Sequence, residues 1–251
     1  MRFGEPWSGS GRTATSSVET LLLVAAEARE FAGIRRRCRR EARLGWPVRF
    51  ARAAELGGRR WVFVANGAGA LLAGEACEVA WNKQKAKALI STGFCGALDP
   101  AIRLGEVFVA SQVFTPEGGL ALEACLPECP RPHSTGRLIS MDHVAQTKEE
   151  KKRLRDLGGS AVEMEAAAVG LRARQWGVPF YCVRSVTDLA DEDFHLDFNA
   201  ARGIDGRLST PRILWAAARR PIPLAFELYR LYHRDKLATR TLGDFLADCR
   251  F

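Results

Sequence analysis

SAVEMEAAAVGLRARQWGVPFYCVRSVTDLAD (160–191) decides the fold class. It opens on the end of a strand, passes through small residues that suit a helix, and breaks at Gly177. It then resumes as the apolar run VPFYCVRSVTD (178–188). A strand that is apolar on both faces belongs in a sheet covered on both sides. Working outward, the same alternation repeats. ETLLLVAA (19–26), RWVFVANG (60–67), KALISTGFCG (87–96) and GEVFVASQVF (105–114) read as buried strands. The helical patterns AREFAGIRRRCRREA (28–42) and LLAGEACEVAWNKQKA (71–86) separate the first three, and further helical patterns cover 210–219 and 224–236. This predicts an α/β domain with a mixed sheet. The segment 115–136, with four prolines, is the expected mobile loop.

The composition narrows the function classes. A mean hydropathy of −0.12 with 47% hydrophobic residues fits a globular protein, and no run of 18 apolar residues suggests a membrane span. Residues 1–18 lack the apolar middle of a signal peptide and read as a disordered leader, so a cytoplasmic location is expected. Residues 19–251 then form one domain. Seven cysteines, an odd number, do not suggest a disulfide framework. Cys125, Cys129 and His133 have ligand-like spacing but lack a fourth ligand, so no metal site is expected. The net charge of +8 comes largely from RRRCRR (35–40), KEEKKRLR (148–155) and the C-terminal third. No nucleic-acid-binding motif accompanies these runs, which read as solvated faces, and no specific nucleic-acid partner is expected.

Ligands of such sheets collect where strands end and glycine turns begin. Asp188, at the end of an apolar strand beside Thr187, is placed for proton transfer or for capping a following helix. Glu163 and Glu165 flank Met164 at the start of a helix. They either favour its dipole or accept hydrogen bonds from a vicinal diol. Gly93 and Gly96 permit close backbone approach to a ligand.

VEMEAAA, VRSVTDLAD and STGFCGALDPAIRLGEV together resemble the nucleoside phosphorylase superfamily, especially its methylthioadenosine/S-adenosylhomocysteine nucleosidase branch. LISMDHVA (138–145) and HLDFNAA (195–201) extend the resemblance. It implies a three-layer αβα sandwich around a central mixed sheet, a homo-oligomer, and cleavage of the N-glycosidic bond of a purine nucleoside. No cofactor is implied, only inorganic phosphate as co-substrate if the enzyme is a phosphorylase. Asp188 would protonate the departing purine. Glu165 would bind the ribose diol, with Glu163 and Met164 beside it. Val144 and Ala145 would face the base, and Phe198 the 5′-substituent, with Gly93, Phe94 and Thr187 completing the pocket. Glu30, in AEARE (26–30), would activate the attacking water, with Glu27 the alternative in a shifted register.

The hexameric phosphorylases have Arg and Ser at the positions held here by Ser91 and Phe94, which tilts the expectation toward hydrolysis. Arg184 is either a substitute phosphate ligand or the partner of a carboxylate. The segment 205–251 resembles the C-terminal extension of adenosylhopane phosphorylases, which act on a lipid-linked nucleoside. Trp215, Phe226, Tyr229 and Tyr232 alternate there with Arg212, Arg219, Arg220 and Arg230. That pattern fits a helix packed on its own domain or a partner subunit, or one lying on an anionic membrane. A nonenzymatic basic module binding nucleic acid or membrane is the alternative of a different class.

Overall fold

The computed structural model describes residues 19–194, 198–201 and 221–251, with residues 198, 201 and 221–228 described by backbone alone. The chain forms β1 (Thr20–Ala25), a 3-10 turn (Ala28–Phe31), α1 (Ala32–Arg35), β2 (Arg39–Arg43), β3 (Phe50–Leu56) and β4 (Arg59–Ala65). There follow α2 (Ala70–Lys83), β5 (Ala88–Ala97), β6 (Val107–Phe114), β7 (Ala121–Glu123), β8 (Ser134–Ser140) and α3 (Lys148–Asp156). β9 (Ala161–Glu163), α4 (Ala166–Trp176), β10 (Phe180–Asp188), α5 (Phe198–Ala201) and α6 (Pro221–Asp248) complete the described elements.

The strands make one mixed sheet in which the long β5 is the junction. β5 runs parallel to β1 on one side and to β10 on the other, and its last residues also pair with β9. Because β10 joins β6, β6 joins β8 and β8 joins β9, those five strands close into a ring. From the ring, β1, β4, β3 and β2 continue as an open sheet.

Strand periodicity sends alternate residues to opposite faces. In β1, Leu22 and Val24 face the core that includes Ala73, Cys77 and Ala80 of α2 and Val169 and Ala173 of α4. Leu21 and Leu23 face the opposite core, where Phe31 and Ile34 meet Leu242, Phe245 and Leu246 of α6. The predicted three layers are therefore present. Full burial of each Leu or Phe stabilises the fold by roughly 1.5–3 kcal/mol. α1 and α6 approach to backbone contact, since a Cβ on Gly33 would lie 2.0 Å from the carbonyl oxygen of Thr239.

Three regions depart from the sequence reading. The arginine run at 35–40 is not one helix: α1 stops at Arg35 and the chain turns into β2, whose five residues are all exposed. β2 forms the sheet edge, where arginines discourage pairing with another chain. β3 and β4 form a hairpin closed by Gly57 and Gly58, both at positive φ, as a two-residue turn requires. The expected loop at 115–136 carries β7 and is fastened by hydrogen bonds from Cys125 N to Phe180 O and from Arg131 to Asp248. Helix α6 continues twelve residues beyond the predicted end at 236, and its last turns enter the core. Of the extension's aromatic residues, Tyr229 and Tyr232 are exposed, whereas Arg230 turns toward Glu192 at 3.6 Å. Trp215, Arg212, Arg219 and Arg220 lie outside the described residues, as does the side chain of Phe226. No described helix is long and apolar enough to cross a membrane.

Candidate active site

The ends of β5, β9 and β10 open on a cavity of about 190 Å³. It is lined by Glu30, Phe94, Glu163, Met164, Glu165 and Asp188, with Val144, Ala145 and His143 at one side and Thr187 beside Asp188. Larger hollows elsewhere, such as the one between α6 and the β6 end, contain neither Glu165 nor Asp188. The two carboxylates, 23 residues apart in sequence, meet around one hollow because β9 and β10 both border β5.

Asp188 ends β10 after a bulge in its pairing with β5, a device that re-aims a side chain at a sheet rim. Its Oδ2 lies 2.6 Å from Nζ of Lys151, and Thr187 Oγ1 donates to Oδ1 at 3.2 Å. A Cβ on the facing Gly96 would sit 2.6 Å from Oδ2, so only glycine leaves the carboxylate room.

Glu165 stands at the N-cap of α4 and accepts a 2.8 Å hydrogen bond from Gly69 N through Oε1. Burial first, and then the charge of Glu163, push its carboxyl up to about 8, against the opposing pull of Arg184. Glu163 is differently employed. Its carboxylate accepts the amides of Glu165 (2.9 Å) and Ala166 (2.9 and 3.0 Å) and pairs with Arg184 Nη2. It caps the helix while bordering the cavity.

Glu30 is buried in the 3-10 turn; its Oε2 accepts Glu27 N at 2.7 Å and its Oε1 accepts Phe94 N at 3.1 Å. Burial raises its pKa despite those two amides and Arg184. The side chain of Glu27 is exposed, so the cavity receives the later of the two glutamates. Gly93, at φ +131°, gives Glu30 its place: a Cβ there would meet Oε1 at 2.6 Å.

Arg184 lies fully buried under this cluster. It donates to Thr92 O (3.0 Å) and Ser91 Oγ (2.6 Å), pairs with Glu163, and stands 3.5 Å from Glu165. Burial opposes its charge, but Glu163, Glu165 and Glu30 outweigh burial and hold it protonated. Of the two readings of Arg184, the carboxylate partner fits this geometry.

Val144 lines the cavity, but Asn199 takes both its backbone groups, at 2.9 and 3.0 Å. Buried Ala145 lines the cavity beside it. The side chain of Phe198 lies outside the described residues. Two further residues join the site without having been expected there. His143 is held between Asp142 (2.5 Å) and Glu150 (2.7 Å), and those carboxylates, Asp142 foremost, raise its pKa against burial. Lys151 is fully buried although KEEKKRLR reads as a solvated run. The available signal was the spacing of Lys151 and Leu154, which share one helix face. Among the described residues no group of side chains could hold a metal ion.

The family profile described as the Phosphorylase superfamily matches residues 20–216. A 5′-methylthioadenosine/S-adenosylhomocysteine nucleosidase of Staphylococcus aureus is 26% identical over 169 residues, covering 57% of this chain and 74% of that protein. The nucleosidase of the same name from S. pneumoniae, solved with the transition-state inhibitor MT-ImmA, superposes with a TM-score of 0.69 at 16% identity, covering 91% of this chain and 97% of the other. Futalosine hydrolase of Helicobacter pylori gives a TM-score of 0.64 at 17% identity, covering 91% and 96%. At these identities the two solved structures speak to fold.

Proposed function

Because the chain belongs to the phosphorylase superfamily, we propose that it hydrolyses the N-glycosidic bond of an adenine nucleoside carrying a 5′-substituent. The observation that carries hydrolysis is the cavity's charge. Glu30, Glu163, Glu165 and Asp188 line it, and no lysine or arginine does among the described residues. A phosphate dianion entering there would meet these carboxyl groups, with His143 as the one basic side chain in the lining, whereas a neutral water and a sugar turning cationic would be welcomed.

In this reading the sugar lies over Met164 with its 2′- and 3′-hydroxyls donating to Glu165. Glu30 takes a proton from water as the water oxygen bonds to C1′. The C1′–N9 electron pair leaves with the base, and Asp188 delivers a proton to N7. The raised pKa of Glu30 makes it a better base than an ordinary carboxylate. Phe94, which lines the cavity, narrows the sugar end. A cytoplasmic location accords with seven free cysteines. A homo-oligomer accords with exposed Leu71 and Leu171 on the neighbouring helices α2 and α4.

Methylthioadenosine is the first substrate to try, with phosphate absent and then present. Free adenine should appear at the same rate in both, with free methylthioribose as co-product. Release only in the presence of phosphate would reassign the reaction to phosphorolysis. No release from any purine nucleoside would end the reading.

Binding should also move a proton. A diol needs an ionised acceptor, while free Glu165 holds its proton up to about pH 8. Below that pH, nucleoside binding therefore releases a proton, and above it the release fades. Calorimetry at pH 7 in buffers of different ionisation heat should detect the release in wild type and lose most of it in Glu165→Gln. Equal heats in all buffers would contradict the assignment. The same raised pKa makes this group's contribution to stability full below about pH 4.5 and lost as pH climbs through about 8.

A further inference from the structure

Lysine is rarely buried completely without a task that compensates for its desolvation. Lys151 is fully buried, one turn into α3, and its ammonium has three acceptors for its three protons. They are Asp188 Oδ2 at 2.6 Å, Leu189 O at 2.7 Å and Glu192 O at 3.3 Å. The Phe194 ring, 5.2 Å away, covers it further. The base of α3 is fixed as well. Thr147 Oγ1 accepts Glu150 N, and Lys148 N donates to Asp193. Nothing in this arrangement leaves the ammonium free to swing.

We propose that Lys151 is a positioning residue for Asp188, pinning Oδ2 so that Oδ1 alone exchanges a proton with the purine. This rests on the reading of Asp188 as the acid. Among the described residues, Oδ1 keeps only the neutral hydroxyl of Thr187. As the Oδ1–H bond breaks and the N7–H bond forms, a full negative charge appears on the carboxylate. The ammonium is already in contact with it and needs no reorganisation to stabilise it. The effect falls on the transition state more than on nucleoside binding, because Oδ1 has to be aimed at N7 at the moment the proton passes.

Adenine release should be measured for Lys151→Met, Lys151→Gln, Asp188→Asn and the two double variants. Lys151→Gln keeps a donor for the Leu189 carbonyl, so it covers the case in which the methionine variant fails to fold. Each lysine variant should lose about 10- to 100-fold in kcat while KM stays within about threefold, the split expected for an interaction made in the transition state. In the Asp188→Asn background, removing Lys151 should change kcat by less than about twofold, because the group it serves is already gone. Wild-type kcat in Lys151→Gln would overturn the proposal. So would an equal loss in both backgrounds, which would mark Lys151 as a structural support. If instead Asp188→Asn keeps wild-type kcat, the acid assignment itself has failed, and the lysine proposal falls with it for that separate, visible reason.

Discussion

Asp188→Asn is expected to lower kcat for base release by about 10²–10⁴-fold, the range for loss of a general acid. At about 1.36 kcal/mol per decade this removes roughly 3–5 kcal/mol of transition-state stabilisation. The substitution is nearly isosteric, so the slot opposite Gly96 still fits it. Lys151 keeps the carbonyls of Leu189 and Glu192 and gains an amide oxygen in place of the carboxylate. The variant should therefore fold, which circular dichroism would establish before any rate is read. KM should change far less than kcat, because N7 in the ground state can still be met by a hydrogen bond. A purified, folded Asp188→Asn within tenfold of wild-type kcat would show that the proton reaches the base by another route.

Much of this site was open to sequence reasoning because its residues stand at strand exits. Asp188 closes an apolar strand, and Glu165 follows another, so both were bound to lie at the sheet rim. Their convergence was less accessible. It depends on β9, only three residues long, pairing with β5 and β8. A strand so short leaves almost no periodicity to read.

Lys151 was obscured by its neighbours, since four charged residues beside it in KEEKKRLR are exposed and the run as a whole looks polar. Arg184 could have been placed by alternation. Cys182, Arg184 and Val186 share one side of β10, and a charge between two buried apolar residues must find carboxylates. The edge hairpin, β2 with β3, escaped because arginine-rich edges disguise strands as helix surface. Gly243 likewise hid the last turns of α6; glycine weakens a helical pattern, yet here it lets α6 touch Gly33.

The stability counterpart of the Asp188 experiment is Arg184→Met, which should destabilise the protein by about 3–5 kcal/mol, as breaking buried pairs does. Arg184 serves Glu163 and Glu165 directly and its charge also reaches Glu30. Methionine fills part of the volume and offers none of the hydrogen bonds to Ser91 and Thr92. For a protein of this size, each kcal/mol lowers Tm by roughly 2–4 °C, giving a fall of roughly 6–20 °C. The deficit should depend on pH with a definite sign. Buried carboxylates stripped of their cation prefer the protonated form, so the variant regains stability as pH falls and loses it as pH rises. Melts of wild type and variant at pH 5, 6.5 and 8 should show the gap widening at each step. A second substitution, Glu163→Gln, should narrow the gap at pH 8 by removing one orphaned charge while keeping an oxygen to accept the Ala166 amide. A gap that stays below 2 °C at every pH would mean that solvent, not Arg184, balances the carboxylates under the cavity.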